Sequence, residues 1–209
     1  MLTLLKSPFE LEGAFSMKKT FTTKNIAGMA VFSALSFVIY LLEIPIFAST
    51  PASFLKLDFS NVFVALAGFM YGPIPAIIIT VIKEAIHIPI GGTGGVGELA
   101  NTITTIAFVI IPSIVYKYRK GIKPVIFTLL IAIVMQVGVS LLANKFINFP
   151  FFISGVPFAP TPASDGFFNT VWTYVLAFNA IKATAISILT ILLYKRVSKI
   201  FKKIKLQNS

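Results

Sequence analysis

The chain has 209 residues, of which 56% are hydrophobic, and its mean hydropathy is +0.90, which excludes an ordinary soluble domain and indicates a membrane protein with several spans. The formal net charge is +11, but the basic residues flank apolar segments instead of covering a soluble face, which argues against nucleic-acid binding. With no cysteine and a single histidine, His87, the chain lacks the residues for disulfides, thiol chemistry or a histidine-based metal site, and we predict no metal and no cofactor.

The first 16 residues differ from the rest of the chain. They lack the long apolar segment and the small-residue cleavage site of a signal peptide. Met17 begins the stretch MKKTFTTKN, which is typical of a cytoplasmic start. We therefore predict that residues 1–16 are a disordered leader or a non-native extension, and that residues 17–209 form a single membrane domain.

Six apolar runs follow, bounded by charges, prolines and glycines. They predict an all-α integral membrane protein, a bundle of six transmembrane helices. The second and third runs are short for spans of ~20 residues, and the turn YGPIP between them predicts two helices joined tightly at the membrane face. The runs cover residues 25–43, 58–71, 74–90, 97–116, 124–146 and 167–194.

The charged residues orient this bundle. An even number of spans places both termini on one side, and the basic residues gather at the two termini and in the loop 117–123. The positive-inside rule therefore predicts that both termini are cytoplasmic. The acidic residues within the domain then lie at or near the outer side; they are Glu43, Asp58, Glu84, Glu98 and Asp165.

The stretch IGGTGGVGELAN, residues 90–101, matches the G-x-G-x-x-G spacing of dinucleotide-binding loops. A phosphate loop follows a strand, and a P-loop carries a lysine after its last glycine. Here a membrane run precedes the glycines, and Glu98 occupies the place of that lysine. We therefore predict a turn that lets the backbone approach a ligand closely, with Glu98 and Asn101 facing the ligand.

Polar side chains from four runs converge on the outer half of the predicted bundle, as counting ~1.5 Å of rise per residue from the basic ends indicates. A lysine at such depth costs several kcal/mol unless it is paired or hydrated. Two interpretations stay open, and both can hold at once: a polar pocket open to the outside, or a structural pair of Lys182 with Glu98 or Asp58. The converging residues are Asp58, Glu98, Asn101, Asn144, Asn179 and Lys182.

Three further features have more than one interpretation. His87 is expected to be a capped or interfacial histidine. Trp172 and Tyr174 indicate an interfacial aromatic belt or, alternatively, a pocket lining. Ala30 and Ala34 form a small-xxx-small pair on the first helix, which serves packing within the bundle or docking of a membrane partner.

Four sequence segments are specific when they occur together and in order. They are LKLDFSNVFVALAGFMYGPIPA (55–76), GTGGVGELAN (92–101), ANKFINFPFF (143–152) and FNAIKATAIS (178–187). In this combination they resemble the substrate-binding subunit of energy-coupling factor (ECF) transporters, specifically the riboflavin type. The resemblance runs from about Met17 to Phe201, which is nearly the whole chain.

The resemblance implies a transport subunit and not an enzyme. Such a subunit, in a prokaryotic plasma membrane, captures riboflavin from the outside in a pocket near the outer face. It then delivers the vitamin together with a separate transmembrane coupling subunit and two ATPase subunits. The loop 44–57 would lie over the pocket as a lid.

The resemblance also implies roles for individual residues. Asn144, Asn179 and Lys182 would hydrogen-bond the isoalloxazine ring, and Ala30 and Ala34 would dock on the coupling subunit. The remaining predicted pocket residues are Asp58, Glu98 and Asn101, with Phe47 and Phe54 of the lid as apolar faces.

Alternatives to riboflavin binding remain at this stage. The same scaffold would suit another vitamin, such as thiamine, biotin or pantothenate. An intramembrane enzyme needs a Ser-His or paired-Asp arrangement or a metal site, and the runs do not supply one. A structural membrane subunit without a ligand is the third alternative.

Overall fold

Helices make up most of the chain in the computed structural model, which describes the backbone of residues 21–206 and the side chains of residues 21–196. The predicted leader, residues 1–16, lies outside the described residues. The helices are α1 (Thr23–Tyr40), α2 (Ser60–Tyr71), α3 (Pro73–Gly91), α4 (Val96–Tyr118), α5 (Ile122–Ala143), α6 (Phe149–Ser154) and α7 (Pro162–Leu206). Two short strands, β1 (Ile44–Pro45) and β2 (Lys56–Leu57), lie between α1 and α2.

Five helical segments in the described part of the chain are long and apolar enough to cross a membrane. They are α1, α3, α4, the stretch Ile122–Ser154 that contains α5 and α6, and α7 as far as Arg196. Helix α2 is apolar but has only 12 residues. The predicted helical membrane protein is therefore confirmed in its class, while the count of six spans stays a prediction.

The turn between α2 and α3 is as tight as the sequence predicted. Gly72 alone joins the two helices, with a φ of 100° that only glycine adopts without strain. Pro73 follows as the first residue of α3, where its missing N–H is not needed by the helix. The short α2 is thereby held directly against the start of α3.

The fifth predicted helix was expected to end at residue 146, and this boundary is wrong. Helix α5 continues through a π-helical turn, Asn144–Asn148, into α6. Pro150 has no N–H to donate to the carbonyl of Phe146, four residues earlier. That carbonyl accepts instead from the N–H of Phe158, at 2.8 Å, so the loop after α6 folds back onto the turn.

Among the described residues, the helices pack around two main apolar clusters. Helix α4 packs against α3 and α5, α5 packs against α7, and α2 contacts α3, α4 and α7. Helix α1 packs on α2 and α3, and only Met29, Ser33, Ser36 and Tyr40 of it are buried. The larger cluster includes Val64, Phe69, Phe108, Leu129 and Ile186. The smaller one includes Ala52, Leu55, Phe149, Val175 and Phe178.

Residues 44–57, which we name the lid segment, form a closed loop. Its two strands pair antiparallel, with Ile44 opposite Leu57 and Pro45 opposite Lys56. Ala52 and Leu55 of the lid segment belong to the smaller apolar cluster together with α6 and α7 residues. The lid segment is therefore held at its base by backbone pairing and near its end by packing.

Candidate binding site

A cavity of about 330 Å³ lies between α3, α4, α5 and α7, beside the lid segment and the end of α1. This volume is within the ~300–1,000 Å³ that is typical of small-molecule sites. Seven of the eight predicted pocket residues line the cavity, and their role in binding stays a prediction. These seven are Phe54, Asp58, Glu98, Asn101, Asn144, Asn179 and Lys182.

Phe47 is the eighth predicted residue, and it is not among the lining residues. Its ring packs edge-on against Tyr174, with ring centres 5.6 Å apart, and also lies near Phe178. Strand pairing at the base of the lid segment was not foreseen from sequence. Phe54 lines the cavity instead, and its ring packs edge-on against Phe149 at 5.5 Å.

Lys182 and Asp58 form a buried ion pair in the wall of the cavity. The ammonium of Lys182 donates to Asp58 Oδ2 at 2.6 Å, and both side chains are almost fully buried. Asp58 Oδ1 accepts from the backbone N–H of Ser60 at 2.9 Å and from its hydroxyl. Of the two interpretations of Lys182, the structural pair and the pocket therefore occur together, with Asp58 as the partner.

Asp58 lies in the loop before α2, and its charge is set by opposing effects. Burial alone would raise the pKa of this carboxyl group, but the ammonium groups of Lys182 and Lys83 outweigh burial and lower its pKa to about 2. Asp58 is therefore ionised at neutral pH, and the cavity wall carries a true ion pair.

Asn144 and Asn179 are held by their own helices. Asn144 Nδ2 donates to the carbonyl of Ser140 at 2.8 Å, and Asn179 Nδ2 donates to the carbonyl of Val175 at 2.9 Å. An amide nitrogen carries two hydrogens, so each group retains a second N–H for another acceptor. Asn144 lies in the π-helical turn, and such turns are frequent at functional sites.

A second group of buried polar residues joins α3 and α4 beside the cavity. Glu84 Oε1 accepts from Lys83 at 2.9 Å and from Asn101 Nδ2 at 2.6 Å. Asn101 Nδ2 also lies 3.3 Å from the hydroxyl of Tyr40. Sequence reasoning assigned no pocket role to Lys83, Glu84 or Tyr40. The sequence did contain one signal, which is that two adjacent charged residues lie in an apolar run. Burying such charges costs free energy unless both are paired.

His87 is buried instead of interfacial. Its ring stacks on Tyr40, with ring centres 4.0 Å apart, and its Nδ1 lies 2.9 Å from Glu98 Oε1. The side chain is only 7% exposed. His87 therefore connects the end of α1 to the first turn of α4.

The glycine-rich stretch forms the turn between α3 and α4. Gly92, Gly94 and Gly95 have φ values of 70°, 62° and 89°, in the left-handed region that favours glycine. Glu98 accepts a hydrogen bond from Thr93 in this turn as well as contacting His87. The predicted turn thus lies beside the cavity, and the Glu98 carboxylate holds the turn together.

The remaining aromatic and charged candidates lie at the edge of the site. Trp172 is 43% exposed and outside the cavity lining, as expected for an interfacial aromatic residue. Tyr174 contacts Phe47. Glu43 and Lys56 line the cavity and form an ion pair across the base of the lid segment.

The charges around the cavity nearly cancel. Lys182 pairs with Asp58, Lys83 with Glu84, and Lys56 with Glu43, while Glu98 is held by His87 and Thr93. Each of the lysines that line the cavity is therefore already paired with a carboxylate. Such an arrangement suits a neutral ligand with hydrogen-bonding edges better than a free anion.

The family to which the chain belongs follows from the comparison with known proteins. The model of a family described as "ECF transporter, substrate-specific component" matches residues 24–194. The chain belongs to this family of transport subunits, and its members are not enzymes. The resemblance inferred from the four sequence segments is confirmed.

Relatives match over most of their length. The "Riboflavin transporter RibU" of Staphylococcus aureus (strain TCH60) is 30% identical over 181 residues, 87% of this chain and 94% of that protein. The "Riboflavin transporter FmnP" of Bacillus subtilis (strain 168) is 28% identical over 176 residues, 82% of this chain and 90% of that protein. A solved structure, described as the S component of a bacterial ECF transporter, matches with a TM-score of 0.72 and 28% identity, covering 86% of this chain and 98% of that one.

Proposed function

We propose that this chain is the riboflavin-binding subunit of an ECF-type vitamin importer and that riboflavin binds in the cavity described above. The observation that carries the proposal is the meeting of Asn144, Asn179 and Lys182 from two helices around one cavity. The names of the two relatives, both riboflavin transporters, support the choice of vitamin.

The chemistry of the cavity suits the isoalloxazine ring. This ring system is large, flat and neutral, with alternating donors and acceptors along its edge. The amides of Asn144 and Asn179 offer both donors and acceptors, and Lys182 offers a donor. Phe54 and Phe178 line the cavity and offer apolar faces for the ring.

The proposed transport cycle requires partners that supply energy. The chain has Glu98 where a P-loop would have its lysine, so we assign ATP hydrolysis to two separate ATPase subunits, acting through a transmembrane coupling subunit. Ala30 and Ala34 are both exposed on α1, the helix with few buried residues. This supports docking of the coupling subunit on that face, because small residues permit close helix approach.

We also propose that the protein lies in a prokaryotic plasma membrane with six spans and both termini in the cytoplasm. In this topology α2 is a short span, second in chain order, and it brings the number of spans to six. Its ends are covered by protein, as such short helices require. The basic turn between α4 and α5 then lies on the cytoplasmic side, in agreement with the positive-inside rule. The cavity opens to the outside.

A fluorescence titration tests the ligand assignment. Purified protein added to riboflavin is expected to quench the intrinsic fluorescence of the flavin until one flavin is bound per chain. Thiamine, biotin and pantothenate are expected not to displace the flavin in competition. Absence of quenching at micromolar protein would contradict the proposal, and displacement by one of the other vitamins would reassign the ligand.

A further inference from the structure

Lys83 is a buried lysine that the proposed binding mode does not use. Its side chain is fully buried, and it is not among the residues that line the cavity. Burying an ammonium group is costly unless partners replace its hydration. Its contacts are Ser60 Oγ, Asn61 Oδ1 and Glu84 Oε1, each at 2.9 Å, and the ring of Tyr40, whose centre is 4.7 Å away.

One branch of these contacts leads to Lys182. The hydroxyl of Ser60 accepts from Lys83 and donates to Asp58 Oδ1, so it is oriented by both groups. The other oxygen of Asp58 accepts from Lys182 at 2.6 Å. The position of Lys182 on α7 is thus linked to Lys83 on α3 through two residues at the start of α2.

The other branch leads to Asn101 on α4. Glu84 Oε1 is shared by Lys83 and Asn101 Nδ2. Glu84 Oε2 is buried, and among the described residues it has no hydrogen-bond partner. The carboxylate that orients Asn101 therefore depends on the charge of Lys83 to remain buried.

We propose that Lys83 is a positioning residue for riboflavin binding. It holds Lys182 and Asn101 in place, and it balances the negative charge that both branches bury. This inference rests on the proposed function, because it concerns the affinity for the same ligand. A purely structural lysine would affect the stability of the bundle and leave the affinity for riboflavin unchanged.

The test compares three variants by riboflavin titration. Lys83→Met removes the charge but keeps most of the side-chain volume, and it leaves the Glu84 carboxylate without its cation. We expect the affinity for riboflavin to fall by about tenfold or more relative to the wild type, the equivalent of losing one well-placed charged contact. Adding Glu84→Gln to Lys83→Met restores the charge balance and keeps an acceptor for Asn101. The double variant is expected to bind riboflavin at least about threefold more tightly than Lys83→Met does.

Glu84→Gln alone keeps the test decisive if Lys83→Met does not fold. The single variant keeps Lys83 and its contact with Ser60, so the double variant, which lacks this contact, should bind riboflavin more weakly than Glu84→Gln does. Wild-type affinity in Lys83→Met would overturn the inference. So would a weakened Lys83→Met with no recovery on adding Glu84→Gln, or a double variant that binds riboflavin as tightly as Glu84→Gln does.

A matched control separates positioning from general destabilisation. Ile79 is fully buried on the same helix, one turn before Lys83, and belongs to the larger apolar cluster. Ile79→Ala should lower the thermal midpoint but leave the dissociation constant for riboflavin within about twofold. If the wild-type protein does not bind riboflavin, the proposed function fails. If it binds and the Lys83 variants behave as wild type, only the inference on Lys83 fails.

Discussion

The two ends of the helix bundle bury different kinds of side chain. At the cavity end, near the lid segment, the helices bury lysines, carboxylates and amides, including Lys83, Glu84 and Lys182. At the basic end, near the turn between α4 and α5, they bury Phe69, Leu129 and their neighbours, with the hydroxyls of Tyr116 and Tyr194 3.0 Å apart. Helices α4 and α7 contribute to both ends.

The two ends differ in what their buried side chains contribute to stability and to binding. Buried ion pairs contribute little net stability, because desolvation offsets their attraction. Close-packed apolar side chains stabilise the fold reliably. The basic end therefore supports the bundle, and we propose that the costly polar lining of the cavity end serves recognition of the ligand. Substitutions at the cavity end should mainly lower the affinity for the ligand, and substitutions at the basic end should mainly lower the stability of the fold.

The largest effect on binding is expected for Lys182→Ala. Removing the ammonium takes a donor from the cavity and leaves Asp58 buried without its partner, and breaking such a pair costs about 3–5 kcal/mol of folding stability. We expect riboflavin affinity to fall by about a hundredfold or more with the fold retained, as measured by fluorescence titration and size-exclusion chromatography. Lys120→Ala, at an exposed position of the basic end, should change nothing.

A second variant separates the two roles of Lys182. Asp58→Asn combined with Lys182→Met removes both charges, so no buried charge is left unpaired. The double variant should still bind weakly, because the donor itself is missing. Recovery of wild-type affinity would show that Lys182 serves only to neutralise Asp58.

At the basic end, Leu129→Ala should affect stability and not affinity. Leu129 is 1% exposed on α5, and a buried Leu→Ala change costs about 2–5 kcal/mol because it leaves a cavity. We expect a clearly lower thermal midpoint in detergent and an unchanged dissociation constant for riboflavin. A large loss of affinity would break the division between the two ends.

Two buried amides on one helical stretch are expected to differ in their effect on binding. Asn144 lines the cavity, whereas Gln136, two turns earlier, is buried with an Oε1 that has no hydrogen-bond partner among the residues the structure describes. Asn144→Leu should weaken riboflavin binding by about 1–3 kcal/mol, as for a lost buried hydrogen bond. Gln136→Leu should leave binding unchanged and not destabilise the fold, since it removes an unsatisfied polar atom. Equal losses of affinity in both variants would contradict the assignment of Asn144.

The smallest effect is expected at the lid segment. The pair of Lys56 and Glu43 is partly exposed, and exposed ion pairs contribute about 0–1 kcal/mol. Lys56→Met should therefore change riboflavin affinity by no more than about fivefold, and the difference from wild type should shrink at high salt. A loss as large as that of Lys182→Ala would place a direct ligand contact at Lys56.

Much of the site was predictable because depth in a membrane helix can be counted from sequence. The counts placed Asn144, Asn179 and Lys182 in the outer half of the bundle, where Asp58 begins the second run, and the structure places all four around one cavity. Lys83 was not assigned a role, because its partners beyond the adjacent Glu84 come from two other helices, and only the packing of α1 and α2 against α3 brings them together.

Other features depended on backbone details that periodicity does not carry. The π-helical turn at Asn144–Asn148 reflects where the carbonyl of Phe146 finds its donor, which is Phe158 in the next loop. Phe47 and Phe54 look equivalent in sequence. Pairing of β1 with β2 and packing against different helices direct them to different neighbours.

The proposed function requires that the cavity hold riboflavin. The most direct measurement is the visible absorption spectrum of the protein after incubation with riboflavin and removal of free ligand. One flavin per chain in the wild-type protein, and almost none in Lys182→Ala, is the predicted result. A wild-type protein that carries no flavin, or a Lys182→Ala variant that retains one flavin per chain, would contradict it.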